Sequence, residues 1–128
     1  MPPDNATTVA AGEAVDFPQD GPQSGSIVRL TASSFTLTEV GTYRVSFQVP
    51  VTESGQLVLR LDGVELAYTV VGRSTGTTQI VGESLVTTTA PSSVLEVVNP
   101  QSAFIALTIT PLAGGTEPVS ASLVVEQY

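Results

Sequence analysis

The chain has 128 residues and a mass of 13.2 kDa, the size of a single domain with its own core. Its formal charge is -8, and Cys, His and Trp are absent, as is Lys, since all four basic residues are Arg. This composition excludes a disulfide framework, a zinc or His-metal site, a Cys nucleophile, a His general base and a Schiff-base lysine. It also argues against a nucleic-acid partner, because that affinity depends on basic side chains that neutralise phosphates.

β-branched residues dominate the rest of the composition. The chain contains 19 Val, 4 Ile and 17 Thr, side chains that are stiff at χ1 and pack well on a pleated sheet. Only 12% of the residues are charged. Either the core is large for the length, or partner chains cover part of the apolar surface. No apolar run reaches the roughly 18–20 residues of a membrane-spanning helix, so no membrane span is predicted.

The first part of the chain predicts a tail followed by short strands. Residues 1–8 are polar and contain two prolines, which predicts a flexible tail, and residues 9–128 are predicted to form one domain. Short strands are predicted at residues 15–17, 26–31 and 35–38.

The clearest strand pattern covers residues 43–49. Tyr43, Val45, Phe47 and Val49 alternate with polar residues, which is the period of a half-buried strand. Pro50 is predicted to close this strand.

A hairpin and a long strand are predicted next. Residues 57–61 form a strand, Asp62-Gly63 favours a type I′ turn, and residues 64–71 form the return strand. Residues 79–89 predict another strand, with a bulge or bend at Gly82.

The last strands are predicted at residues 93–98, 103–110 and 119–127. No segment of 11 residues or more shows helical periodicity. Eight to ten short strands separated by turn signals predict an all-β fold, either a two-sheet antiparallel sandwich or a barrel.

The stretch FTLTEVGTYRVSF at residues 35–47 carries a family resemblance. It resembles the F-x-(4–6)-G-x-Y signature of complement-q/tumour-necrosis-factor-like jelly rolls. With the Leu-Asp-Gly-Val hairpin and the apolar C-terminal strand, residues 25–128 are similar to the C-terminal trimerisation domain of collagen-like glycoproteins of the bacterial spore exosporium. The resemblance implies a jelly-roll sandwich of about ten strands that assembles as a homotrimer on an extracellular or spore surface.

In that family the domain follows a Gly-X-Y collagen stalk and registers its three chains. These 128 residues contain no Gly-X-Y repeat, so the stalk is an expected partner outside the given sequence. Trimerisation also follows from the apolar character of the strands, because three copies around an axis can bury open edges and an apolar face. We expect such a trimer to resist heat and detergent.

The predicted trimer-interface residues are aromatic: Tyr43, Phe47, Phe104 and Tyr128. The alternative for Phe47 and Phe104 is that they fill the sandwich core, and Tyr128 lies at a chain end, where fraying is common.

No enzymatic activity and no cofactor are predicted. The carboxylate pairs Asp16/Asp20 and Asp62/Glu65 are the only plausible catalytic groups, and turn or solvent-facing roles explain them better. The loop with Asp16 and Asp20 offers weak potential for calcium, but it lacks the acid spacing of an EF-hand.

Two further expectations concern the surface. Arg44 and Arg60 lie opposite the apolar faces of their strands, which predicts either cross-strand ion pairs or pairs between subunits. The alternative function is a recognition module of the same fold that binds a protein or glycan through the loops at 72–78 and 111–118.

Overall fold

The computed structural model describes residues 8–23, 25–103, 105–110, 114–117 and 121–128. These residues form eleven β-strands and a single 3₁₀ turn at Ala67–Thr69. The strands are β1 Thr8–Val9, β2 Ile27–Arg29, β3 Phe35–Leu37, β4 Thr42–Val51, β5 Gly55–Leu61, β6 Val64–Glu65, β7 Val71–Arg73, β8 Thr78–Thr87, β9 Ser93–Val98, β10 Leu107–Thr108 and β11 Ser122–Gln127. The predicted all-β fold is confirmed.

The strands build two antiparallel sheets, as the sandwich prediction requires. One sheet has the order β11-β4-β8, and the other has the order β2-β3-β9-β5-β6, with β7 also pairing with β5. The short pair β1–β10 continues the first sheet, because Thr52 N–H donates to the Thr108 carbonyl beside the end of β4. This arrangement is that of a jelly-roll sandwich.

The core lies between the two sheets and follows the period of two. In β4, Tyr43, Val45, Phe47 and Val49 are buried and alternate with half-buried polar residues. They pack in one cluster with buried residues of the facing sheet, among them Leu37, Leu57, Leu59, Leu95 and Val97.

The Asp62-Gly63 hairpin is confirmed, and its return strand is shorter than predicted. Both turn residues have positive φ, 51° and 82°, as a type I′ turn requires. The prediction of one strand over residues 64–71 is wrong, because a 3₁₀ turn separates β6 from β7. The buried Thr69 hydroxyl donates to the Leu66 carbonyl (2.7 Å) and accepts the Leu59 N–H (2.9 Å), which holds this turn against β5.

Gly82 and Pro50 have different roles from those predicted. The register of β4 and β8 is continuous through Gly82, which pairs with Phe47, so the predicted bulge is wrong. A Cβ at this position would lie 2.5 Å from Phe47 Cζ, so the glycine leaves room for that ring. The strand also continues through Pro50 to Val51, since both residues stay paired with β8, and the Pro50 carbonyl accepts the Thr110 N–H (3.1 Å).

Some predicted strands are absent or shorter than expected. Residues 15–17 form no strand, although Val15 and Phe17 are buried and Val15 N–H donates to the Val97 carbonyl (2.8 Å). Within residues 103–110, the described strand is only β10, and Ile105 is exposed. Residues 1–7 of the predicted tail lie outside the described residues, and Thr8 begins β1.

Candidate interaction surface

The outward side of the β11-β4-β8 sheet is the clearest candidate for an interaction surface. We call it the open face and define it by the outward residues of its three strands: Arg44, Ser46 and Gln48 from β4, Val81, Glu83 and Leu85 from β8, and Ser122, Val124 and Glu126 from β11. Within the part of the chain that the structure describes, no third layer packs on this side.

Three large apolar side chains lie half exposed on the open face. Val81 is 49% exposed, Leu85 51% and Val124 49%. β8 and β11 therefore carry apolar residues on both sides, since their inward residues Ile80 and Val125 belong to or pack against the core. A sheet face with this composition is typical of a surface that another layer covers.

The centre of the open face carries a three-residue ion network. Arg44 Nη1 lies 2.7 Å from Glu83 Oε2, and Arg44 Nη2 pairs with Glu126. Arg44 and Glu126 are direct cross-strand partners, so the register of β4 and β11 places them together. Two carboxylates share one guanidinium, which leaves the network with one net negative charge.

The apolar surface continues around the edge of β8. The Tyr68 hydroxyl donates to the Leu85 carbonyl (2.7 Å), and its ring is 66% exposed. The tyrosine thereby extends the apolar surface from the open face onto the neighbouring 3₁₀ turn.

The structure separates the four aromatic residues predicted for an interface. Tyr43 and Phe47 are buried within the single chain, and the Tyr43 hydroxyl donates to the Glu39 carbonyl (2.6 Å). Phe47 therefore fills the core, which was the alternative given for it in the sequence analysis. Both rings lie on the inward side of the sheet that carries the open face. Tyr128 is largely exposed beside Thr42, and Phe104 lies outside the described residues.

The exposed apolar residues of β8 and β11 are the functional candidates that the sequence reasoning missed. The signal was present as adjacent apolar pairs, Ile80-Val81 and Leu85-Val86, in a strand that otherwise alternates. Such pairs indicate a strand with apolar residues on both sides, which a search for aromatic residues overlooks.

The predicted cross-strand ion pairs form within the chain. Arg60 Nε lies 3.0 Å from Glu96 Oε1, and the two residues are direct partners in β5 and β9. Arg60 also donates to the Gly12 carbonyl (3.0 Å), which ties the N-terminal segment to the sheet.

In the loop considered for calcium, Asp20 pairs with an arginine side chain of the same chain. Asp20 Oδ1 accepts a 2.6 Å hydrogen bond from Arg29 Nε, while Asp16 is exposed to solvent. Among the residues that the structure describes, no group of three acidic, His or Cys side chains is placed to hold a metal ion. The guanidinium would compete with a metal ion for the Asp20 carboxylate.

The second pair of carboxylates considered for catalysis, Asp62 and Glu65, accepts hydrogen bonds from the main chain. Asp62 Oδ1 accepts the Val94 N–H (2.8 Å), and Glu65 Oε2 accepts the Gln101 N–H (2.8 Å). These bonds match the turn and surface roles that the sequence favoured over catalysis.

Glu53 is an acid whose pKa the structure lowers. Burial raises the pKa of its carboxyl, but hydrogen bonds from the Thr108 N–H and from the Thr52 and Thr108 hydroxyls stabilise the ionised form. The net result is a pKa below the usual carboxyl value. The Thr108 bonds measure 2.6 Å from the N–H and 2.9 Å from the hydroxyl, and they clamp β10 to the β4–β5 turn.

The loops named for the alternative recognition function are only partly described. Residues 72–77 are exposed, and residues 72–74 border a shallow cleft with Ser54, Gly55 and Gln56. Of the second loop, residues 111–113 and 118 lie outside the described residues. The structure also contains, in its described part, no helix with the length and apolar character of a membrane span.

Comparison with known proteins identifies the family. A family model described as the BclA C-terminal domain matches residues 4–126. No curated protein matches the chain. The matched family is a structural domain of exosporium surface glycoproteins and is not a known enzyme family. The chain therefore belongs to the BclA C-terminal domain family, whose members are the C-terminal domains of collagen-like exosporium proteins.

Proposed function

We propose that this chain is a non-enzymatic homotrimerisation domain that registers three chains of a collagen-like surface protein and caps their stalk. The proposal depends on one observation above all. Val81, Leu85 and Val124 lie half exposed on a sheet face that no described part of the chain covers. We propose that neighbouring copies cover this open face.

The apolar area supplies the driving force. Completing the burial of one half-exposed Val or Leu contributes about 1 kcal/mol, which is half of the value for full burial. Three such side chains in each of three copies contribute roughly 9 kcal/mol before the loss of translational and rotational freedom is subtracted. This is enough to support association, particularly when the chains are already held together elsewhere.

A collagen-like stalk is the argument for three copies in particular. A collagen triple helix winds three chains around each other, so a domain at its end is present three times at one place. Linkage of this kind raises the effective concentration to about the millimolar range. Membership of a family of collagen-like proteins therefore favours three copies over two or four.

A three-fold assembly needs two different surfaces on each copy, because its interfaces are heterologous. The open face supplies one of them. The exposed Tyr68 beside Leu85 extends the apolar area around the edge of β8, where a neighbouring copy would meet it at an angle. Tyr128, at the end of β11, remains a proposed interface residue on the other side of the face.

The ion network would set the register of the copies. Arg44, Glu83 and Glu126 already satisfy one another within one chain, so their burial does not leave an unpaired cation. A buried network of this kind favours one arrangement of the subunits more than it adds net stability.

Substitutions on the open face test the proposal. We expect Val124→Asp and Leu85→Asp to convert the three-chain particle into a single chain, because each adds a third carboxylate to a face that holds one arginine and must lose its water. Val28→Asp is the matched control, since Val28 is 50% exposed on β2 of the other sheet. Sedimentation velocity gives the particle size, and circular dichroism verifies the β fold of each variant.

Two results would contradict the proposal. One is a wild-type chain that sediments as a monomer at every concentration. The other is an unchanged trimer in both Val124→Asp and Leu85→Asp, which would place the interface elsewhere.

A further inference from the structure

A groove of about 370 Å³ runs beside β11 on the side away from β4. We call it the β11 groove; its main lining residues are Asp20, Ile27, Arg29, Phe35, Leu123 and Val125. It borders the open face and shares Ser122 and Val124 with it, and its other lining residues come from the loop at residues 19–23 and from strands of the other sheet.

The main chain of β11 directs toward this groove hydrogen-bonding groups that pair with no strand of the described residues. Tyr128 N–H donates to the Thr42 carbonyl, and the register continues from there with Glu126 opposite Arg44. In an antiparallel pair alternate residues exchange hydrogen bonds, so the N–H and C=O groups of Leu123 and Val125 point away from β4. β11 is the last strand of its sheet in the described residues, so no described strand pairs with these groups.

The far wall of the groove is held in place by an ion pair. Arg29 Nε donates to Asp20 Oδ1 (2.6 Å), and the guanidinium lies 4.9 Å from the centre of the Phe35 ring. At one end, the Ser26 hydroxyl donates to the Gln127 side chain, which ties the loop to β11. The loop at residues 19–23 lines the groove together with β11, which favours one added strand over the edge of a second sheet.

The side chains along the groove define which strand fits. An added strand continues the pleat of β11, so its inward residues face the apolar floor formed by Ile27, Phe35 and Leu123. Its outward residues lie beside Val124 and Glu126 on the open face.

Charge selects the outward residues. Glu126 shares Arg44 with Glu83, so the network beside the groove keeps one net negative charge. The whole chain carries a charge of -8, and each of its four arginines already has an acceptor within the chain: Arg29 with Asp20, Arg44 with Glu83 and Glu126, Arg60 with Glu96 and Arg73 with the Gln79 carbonyl. A Lys or Arg opposite Glu126 is therefore favoured, and an acid there is disfavoured.

We propose that the β11 groove binds an extended segment of a partner protein by antiparallel strand addition. The segment carries apolar residues at alternate positions, directed inward, and Lys or Arg at the positions between them, directed outward. Main-chain bonds to Leu123 and Val125 provide the attachment, and the apolar floor and Glu126 provide the selectivity. This proposal does not depend on the trimer, because every group that it uses lies within one copy.

The first experiment uses a blocked, fluorescently labelled peptide of sequence TVKVKVT and measures its binding to the intact chain by fluorescence anisotropy. We expect saturable binding, weaker binding at high salt, and at least about tenfold weaker binding when both lysines are replaced by glutamate. N-methylation of the three valines removes the donors that face β11 and is expected to abolish binding. N-methylation of the two lysines is the matched control and is expected to leave binding intact. Equal tolerance of both modifications, or no saturable binding, would overturn the proposal.

Variants of the chain give a second test. Leu123→Pro removes the donor that faces the groove without removing a bond to β4, and we expect about tenfold weaker binding. Glu126→Gln is expected to weaken binding about two- to fivefold, while Glu65→Gln, on the other sheet, changes nothing. If Leu123→Pro does not fold, Glu126→Gln and the methylated peptides still test the proposal. Equal affinity of Glu126→Gln and Glu65→Gln for the lysine peptide would contradict the charge argument.

Sedimentation of the same samples separates this proposal from trimerisation. Peptide binding to a chain that sediments as a monomer supports the groove even if the trimer proposal fails. Growth of the peptide-free particle beyond three chains, abolished by Leu123→Pro, would instead assign the β11 edge to a second copy and overturn the peptide proposal.

Discussion

Replacing Gly82 with Ala tests the packing between the two sheets. A Cβ atom on Gly82 would lie 2.5 Å from Phe47 Cζ and 2.8 Å from Phe47 Cε1. Val71 Cγ2 would lie 3.0 Å away, so the methyl group cannot simply turn aside from the ring. The buried Phe47 ring has to move, and we expect Gly82→Ala to lower the free energy of unfolding by about 1–3 kcal/mol.

Urea unfolding followed by circular dichroism measures this loss, at one fixed protein concentration because association also contributes to stability. Phe47→Leu removes the clashing ring atoms, so Gly82→Ala is expected to cost less in that background, with a coupling of at least about 0.5 kcal/mol. Gly115→Ala is the control, because no atom lies within 4 Å of the added methyl. Equal stability of Gly82→Ala and Gly115→Ala, or additive effects of Gly82→Ala and Phe47→Leu, would refute the packing argument.

Two further predictions concern polar contacts. Because the pKa of Glu53 is lowered, its carboxylate stabilises the fold above the ordinary carboxyl pKa of 4.5, and this stabilisation is lost as the pH falls through the folded value. Glu53→Gln is therefore expected to destabilise the chain near pH 7 and clearly less near about pH 3 in urea titrations, and an equal loss at both pH values would contradict the assignment. Thr69→Val leaves the buried Leu59 N–H without its acceptor and is expected to cost about 1–3 kcal/mol, against less than about 0.5 kcal/mol for Thr36→Val on β3. Equal losses in these two Thr variants would show that the Thr69 hydroxyl contributes no net stability.

The sequence predicts the strands well wherever the period of two is regular and a turn residue has a local cause. The inward residues of β4 and the Asp62-Gly63 turn follow from such local rules, since alternation and positive φ are properties of neighbouring residues. The prediction of a sandwich follows from the number and spacing of these strands.

The errors arise where a distant contact decides the local structure. A glycine within a strand pattern predicts a bulge at position 82. In the structure, Gly82 instead leaves space for the ring of Phe47, which lies 35 positions away in the sequence and in the neighbouring strand. The break after β6 depends on Thr69, whose hydroxyl bonds back to β5. Local patterns contain no information about either contact.

The interaction surface shows the same limit. Aromatic residues were natural candidates for an interface, yet Tyr43 and Phe47 fill the space between the sheets, because the alternation of β4 directs them inward. The β11 groove was not predicted, since its lining combines Phe17, Ile27 and Phe35 with residues 122–125, which only the fold brings together.

The number of chains in the native particle tests the central claim most directly. Native mass spectrometry of the unaltered 128-residue chain, supported by sedimentation equilibrium in the micromolar range, counts the copies without any substitution. If copies cover the open face as proposed, the particle has three times the 13.2 kDa chain mass and persists on dilution. A stable species of one chain mass, with Val81, Leu85 and Val124 left in water, would contradict the account.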